Sequence, residues 1–171
     1  MPDAPNNPEY SENPKSRTTT TSQQKNKATM TINQISIFIE NRSGTLVKVL
    51  ELLKQSNIQI IASTIADTAE YGIYRLICSE PARAYQELKA AGVAVAISDV
   101  FALELDNEPG RAAEAVKIFS DANISITYMY SFLLNGKGIL IFRTDNTEEA
   151  REVIILNNLK FIAEKDLTAL A

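Results

Sequence analysis

The chain has 171 residues, 17 of them Lys or Arg and 21 Asp or Glu, giving a formal net charge of −4, with no histidine and a single cysteine. That length suits one average domain or two small ones. The inventory excludes a Ser-His-Asp or Cys-His catalytic set, a histidine-based or cysteine-cluster metal site and an internal disulfide, and an acidic chain has the wrong sign for a phosphate-backbone partner, so no nucleic acid is expected.

No stretch has the order of a signal peptide or the length of a membrane span, so the expectation is a soluble cytoplasmic protein with no membrane partner. Residues 1–29 are rich in Pro, Asn, Ser, Thr and Lys, include four threonines at 18–21 and show no apolar periodicity. Such a segment buries too little to offset its ordering entropy and is expected to be a disordered tail. Met30 directly precedes the first strand and is a candidate start of translation.

From Ile32 to Ile39 the apolar alternation of Ile35, Ile37 and Ile39, with Gln34, Ser36 and Phe38 on the other side, predicts a strand. Leu46, Val49, Leu50 and Leu53 follow at helical spacing, and Asn57 is suited to the left-handed position that ends a helix. Strands are predicted at 58–66 and 73–78, the latter carrying Cys78 as a buried structural thiol. Pro81 fits the first turn of a second helix that turns Ala84, Tyr85 and Leu88 inward, Gly92 ends it, and a strand is predicted at 93–97.

Shifted by 66 positions, the sequence repeats. Ile35 to Ile60 falls on Phe101 to Ile126 without a gap, placing Asn41 on Asn107, Gly44 on Gly110, Asn57 on Asn123 and Ile58 on Ile124. Nearly every apolar position finds an apolar partner, the signature of a duplicated unit. The second copy is predicted to have strands at 100–105, 124–133, 139–144 and 159–163. Its first helix, from Pro109 to Asp121, turns Ala112, Ala115, Val116 and Phe119 inward; its second is capped by Asn146 and buries Ala150, Val153 and Ile154. The fold class is therefore α+β, two ferredoxin-like (βαββαβ) domains packed together, residues 30–98 and 99–171. Only Ser98 and Asp99 separate the last strand of one copy from the first strand of the next, a joint short enough for one strand to run straight into the next, so the two sheets are expected to pack as one body.

Each copy leaves its first strand through an asparagine-bearing corner, IENRSGTL in the first and LDNEPGRA in the second. Such a turn aims the first N–H groups of a helix, and its dipole, at the space beyond the strand, where a carboxylate is favoured. Glycine at 44 and 110 lets a ligand approach the backbone closely. An ordinary strand-to-helix turn explains a single corner; the recurrence of Asn-x-x-Gly argues for a site, with both corners expected to face a shared seam. Arg111 could pair with a ligand carboxylate and Glu108 with its ammonium, or both are solvated loop charges. Tyr128 and Tyr130, where the first copy has Ala62 and Thr64, either fill core or inter-domain space or line a pocket.

This duplicated pattern resembles a tandem of ACT domains, the small-molecule sensor modules of amino-acid metabolism. ENRSGTL, a helix and then NIQI are similar to the ENRPG and GVNI segments of the regulatory domain of phosphoglycerate dehydrogenase. The resemblance implies a non-catalytic protein without cofactor or metal that binds a free amino acid at an interface between two ACT units. It places the ligand at Asn41, Gly44, Thr45 and Leu46 in the first copy and at Asn107, Gly110, Arg111 and Ala112 in the second. The family's loop histidine is replaced by Ile39 and Leu105, and its strand-two asparagine by Gln59 and Ser125, whose amide and hydroxyl can still hydrogen-bond a zwitterion. The alternative that the resemblance offers is an obligate regulatory subunit of a metabolic enzyme, similar to the small subunit of acetolactate synthase. A homodimer is a further expectation, because the edges of small sheets pair readily. An enzyme of this fold would need an arginine-bearing phosphate loop; Arg42 is the nearest candidate, but no run of glycines surrounds it.

Overall fold

The computed structural model describes residues 30–68 and 70–170, so the tail expected at 1–29 lies outside the described residues. The elements run β1 (Thr31–Glu40), α1 (Thr45–Gln55), β2 (Ile60–Asp67), β3 (Tyr71–Cys78), α2 (Pro81–Ala90), β4 (Val95–Asp106), α3 (Arg111–Asp121), β5 (Ile126–Leu134), β6 (Lys137–Thr144), α4 (Thr147–Leu156) and α5 (Glu164–Leu170). The strands form one antiparallel sheet in the order β2-β3-β1-β4-β6-β5.

The two strands expected on either side of Ser98-Asp99 are a single one. β4 pairs along Val95–Phe101 with β1 and along Phe101–Asp106 with β6, so its two halves serve different units and the two sheets become one. The joint has no Gly or Pro, and its flanks, Ile97 and Val100, are β-branched, so the extended chain continues through Ser98 and Asp99. A closing strand was expected at 159–163; the structure has only a bridge from Phe161 to Leu103, flanked by backbone bonds from Glu104 N to Lys160 O and from Ile162 N to Ala102 O. It lies on the same side of β4 as β1, and β1 already fills the rest of that side. The following helix, α5, was not foreseen.

Side chains alternate across the sheet. Odd-numbered residues of β4 face α1 to α4 along its length: Val95 joins the core of Ile35, Ile37, Leu76, Val49, Leu53, Ala84 and Leu88, while Phe101 and Leu103 join that of Phe119, Leu140, Phe142, Ala150 and Ile154. Phe142 stacks on Phe101 at 5.4 Å and meets Phe119 at 4.9 Å. Even-numbered Val100 and Ala102 point to the back face, where Ile32, Ile77, Ile139 and Ile141 form a third cluster with Ile162 and Leu167. The predicted helix stripes hold with two exceptions: Leu50 and Ala112 face solvent. Leu52 packs on the first core instead.

All four long helices end alike. In α1, Ile58 N donates to Leu53 O and Asn57 N to Lys54 O; Gly92, Asn123 and Asn158 sit in the same pattern at the ends of α2, α3 and α4. Asn57, Asn123 and Asn158 have φ of 53°, 57° and 52°, the left-handed stop that asparagine tolerates. Asn146 caps α4 by accepting from Glu149 N at 3.2 Å. Cys78 is buried, and burial pushes its thiol pKa up to about 11, which suits an inert core position.

Candidate functional site

The first corner is built from the end of β1 and the start of α1. Gly44 heads α1 with φ 90° and ψ −16°, and no side chain caps the helix behind it. The Thr45 hydroxyl donates back to Glu40 O at 2.7 Å and Arg42 O at 2.9 Å, which fixes the turn. Asn41 ties the turn to the hairpin between β2 and β3. Its Nδ2 donates to Thr68 O at 2.6 Å, its backbone N to Glu70 O at 2.9 Å, and its Oδ1 lies 3.0 Å from where a Cβ on Gly72 would be. The conformational freedom of Gly44 and the missing side chain of Gly72 thus serve the same corner.

The second corner repeats the backbone and changes the ties. Gly110 heads α3 with φ 91° and ψ −16°, again without a side-chain cap. Here Lys137 binds Asp106 at 2.7 Å, which lowers the carboxyl pKa through the hydrogen bond first and the charge second. Arg111 is held between Glu114 at 2.9 Å and Glu108 at 3.0 Å, and these hydrogen bonds raise its pKa. Its guanidinium is therefore committed to its own helix and loop. Asn107 is exposed, and Ala112 lies exposed in the first turn of α3.

The two corners do not face a shared seam within the chain. They leave the sheet at opposite ends of the antiparallel β1–β4 pair, whose register aligns Thr31 with Phe101. Along the strands Glu40 and Asp106 are separated by roughly 45 Å at about 3.3 Å per residue. Gln59 and Ser125 are also remote from the corner of their own copy: Gln59 is level with Ser79, whereas the first corner sits beside the far ends of β2 and β3, roughly 25 Å along the strand. The ten predicted residues thus fall in four places.

Gln59 and Ser125 do share an equivalent setting. Gln59 lines an open groove of about 520 Å³ with Lys54, Asn57, Ile58, Ser79 and Glu80. Ser125 lines one of about 430 Å³ with Val116, Ser120, Asn123, Ile124 and Ile126. Both grooves lie where the first helix of a unit hands over to its second strand. A third groove of about 280 Å³ lies between Asn33, Ile97, the start of α2 and Glu164, and there Glu164 accepts from Asn33 N at 2.9 Å and from its Nδ2 at 2.7 Å.

Gln34 lies with Ser36 and Phe38 on the side of β1 opposite Ile35, Ile37 and Ile39, as the alternation predicts. It is fully buried on this back face, where Tyr128 and Tyr130 of the other unit meet it. These rings occupy inter-domain space. Their spacing of two, which puts both on one face of β5, was the available signal. Among the described residues no group of acidic or cysteine side chains could hold a metal ion, and no helix is long and apolar enough to cross a membrane.

The sequence model for the ACT domain pair matches residues 30–171. The crystal structure of protein BT0572 from Bacteroides thetaiotaomicron is 38% identical, with 81% of this chain and 96% of that one covered and a TM-score of 0.78. The ligand-free regulatory subunit of aspartate kinase from Thermus thermophilus is 13% identical over 72% of this chain and 91% of its own, with a TM-score of 0.54, which speaks to the fold alone. No curated protein matches significantly. A duplicated βαββαβ unit with paired asparagine corners, matched by the family's sequence model over all but the first 29 residues, makes this chain a member of the ACT domain pair family.

Proposed function

We propose that the protein is a non-catalytic sensor of a free amino acid, with the ligand carboxylate received at the asparagine-bearing corners. The observation that carries this reading is the identity of the two corners in backbone and their difference in side chains. Gly44 and Gly110 agree to within one degree in φ, and each heads a helix of 11 residues that no side chain caps. An uncapped first turn offers N–H donors and the positive end of the dipole to an anion. Two loops with unrelated ties have little reason to share this arrangement unless the open first turn is used.

The second wall of each site is supplied by another copy of the chain. The first corner is bonded through Asn41 to Thr68, at the end of edge strand β2, and Gln59 stands just before that strand begins. If β2 pairs antiparallel with the β2 of a second copy, the start of one strand lies against the end of the other, and Gln59 of one copy meets the Asn41 corner of its neighbour. The same operation on β5 brings Ser125 to the Gly110 corner. Melting the protein in the presence of each free amino acid tests the reading: at least one should raise Tm in a saturable way, as any ligand that prefers the folded state must. No shift with any of them removes it.

A second reading, a regulatory subunit that works on a metabolic enzyme, is favoured by one observation. Phe38 and Tyr71 are 50% and 59% exposed on the back face of the first unit, an apolar pair of the kind that interfaces use. Purification from native extract distinguishes the two: an enzyme that stays bound through several steps supports the second, and a chain that migrates alone supports the first.

A further inference from the structure

Gln34 is a polar side chain with no exposed surface, and it comes from the first unit. Its Nε2 donates to Tyr128 Oη at 2.7 Å and, more weakly, to Ser36 Oγ at 3.3 Å; its Oε1 accepts from Tyr130 Oη at 3.0 Å. Arg75, from β3 of the first unit, places its guanidinium 4.1 Å from the centre of the Tyr128 ring. The tyrosines stand on β5, the outermost strand of the second unit, and β4 and β6 lie between them and Gln34. Three strand spacings are roughly 14 Å in a flat sheet, so the bonds form only because the sheet curls and the two rings lean over the strands between. Both ends of the amide are satisfied from across the molecule, which leaves Gln34 no equivalent partner if the curl relaxes.

We propose that Gln34, Tyr128 and Tyr130 form a latch that fixes the curl of the common sheet and makes edge strand β5 and first strand β1 one mechanical element. β1 leads to the Asn41 corner and β5 begins at the Ser125 groove, so the latch joins the region of one candidate site to that of the other. The apolar cluster around it, Ile32, Val100, Ala102 and Ile141, holds the units together but has no directional preference. The buried amide supplies the direction, because leaving it unpaired costs more than a lost contact.

The test is amide hydrogen exchange on the intact protein without ligand, so its outcome is independent of whether an amino acid binds. Tyr128→Phe with Tyr130→Phe removes two hydroxyls and leaves the rings. Exchange should quicken at least tenfold in β1 around Gln34, as well as in β5. Gln34→Met, close in size and unable to bond, should quicken β5 in return. Quickening confined to the substituted strand in both variants overturns the latch. Denaturant unfolding gives a second check: the effects of Gln34→Met and of the tyrosine pair should fall well short of adding, and simple additivity also overturns it.

Discussion

The two units share a backbone and differ in what fastens it. At the first corner an asparagine amide reaches the neighbouring hairpin, and Gly72 leaves room for it. At the second, where the β5–β6 hairpin is the two-residue Asn135-Gly136 with φ of 50° and 75°, a turn suited to strand twist, the fastening is ionic: Asp106 to Lys137 and Arg111 to two glutamates. The back faces diverge in the same sense. Phe38 and Tyr71 are bare in the first unit, while the positions 66 residues on are Glu104 and Lys137, both in salt bridges. Duplication has preserved the glycine that opens each helix, and the surroundings have drifted. The invariant feature is thus the one the proposed site needs.

The largest effects are expected in the cores. Leu53 and Phe119 occupy equivalent positions, each 1% exposed. Leu53→Ala should cost about 2–5 kcal/mol and Phe119→Ala, which also loses the contact with Phe142, about 3–5 kcal/mol. Because β4 belongs to both units, either change should lower the midpoint of one cooperative urea transition. Two separate transitions would show that the units are independent after all.

The corners should respond equally to loss of their glycines and unequally to loss of their asparagines. Nothing lies within 4 Å of a Cβ built on Gly44 or Gly110, so alanine at either position meets backbone strain alone, about 1–2 kcal/mol in each case by urea denaturation. Asn41→Ala removes the bond to Thr68 and should cost about 0.5–1.5 kcal/mol. Asn107→Ala, at an exposed position, should stay within about 0.5 kcal/mol. Equal costs for the two asparagines would mean that the hairpin tie of the first corner has no weight.

The smallest effect is acid sensitivity of the second corner. Asp106 titrates below its ordinary value in the folded state. Its contribution is therefore present above the unfolded carboxyl pKa of about 3.9 and is lost as pH falls through the lower folded value. Both partners of the pair are exposed, so the change in stability is slight. It should be visible as a chemical-shift change of Gly110 and its neighbours below that pH, abolished by Lys137→Met.

Much of this architecture was legible in the sequence. The 66-residue offset, read from apolar positions and a few asparagines and glycines, foretold matching helix ends at Asn57 and Asn123, because left-handed positions admit few residue types; it matched Gly44 with Gly110 but began the second unit's first helix at Pro109, two residues before its actual start at Arg111. Gln34 was illegible for the opposite reason. A glutamine in an alternating strand marks which side it faces and says nothing of what covers that side, and its partners lie 94 and 96 residues away. The two-residue joint at Ser98-Asp99 did point to one strand running into the next, as β4 does, but alternation gives no warning that the corners will leave its common sheet at opposite ends. That outcome depends on strand neighbours, which local pattern does not specify.

Calorimetric titration of the intact protein with each free amino acid, repeated on Gly44→Ala and Gly110→Ala, asks whether the open first turns receive a ligand. Saturable heat is expected with at least one amino acid, and weaker binding when a corner glycine is replaced, since the strain of an alanine held at positive φ shifts the donors that meet the carboxylate. Absence of heat with every amino acid, or binding that both variants leave untouched, would contradict a carboxylate site at the corners.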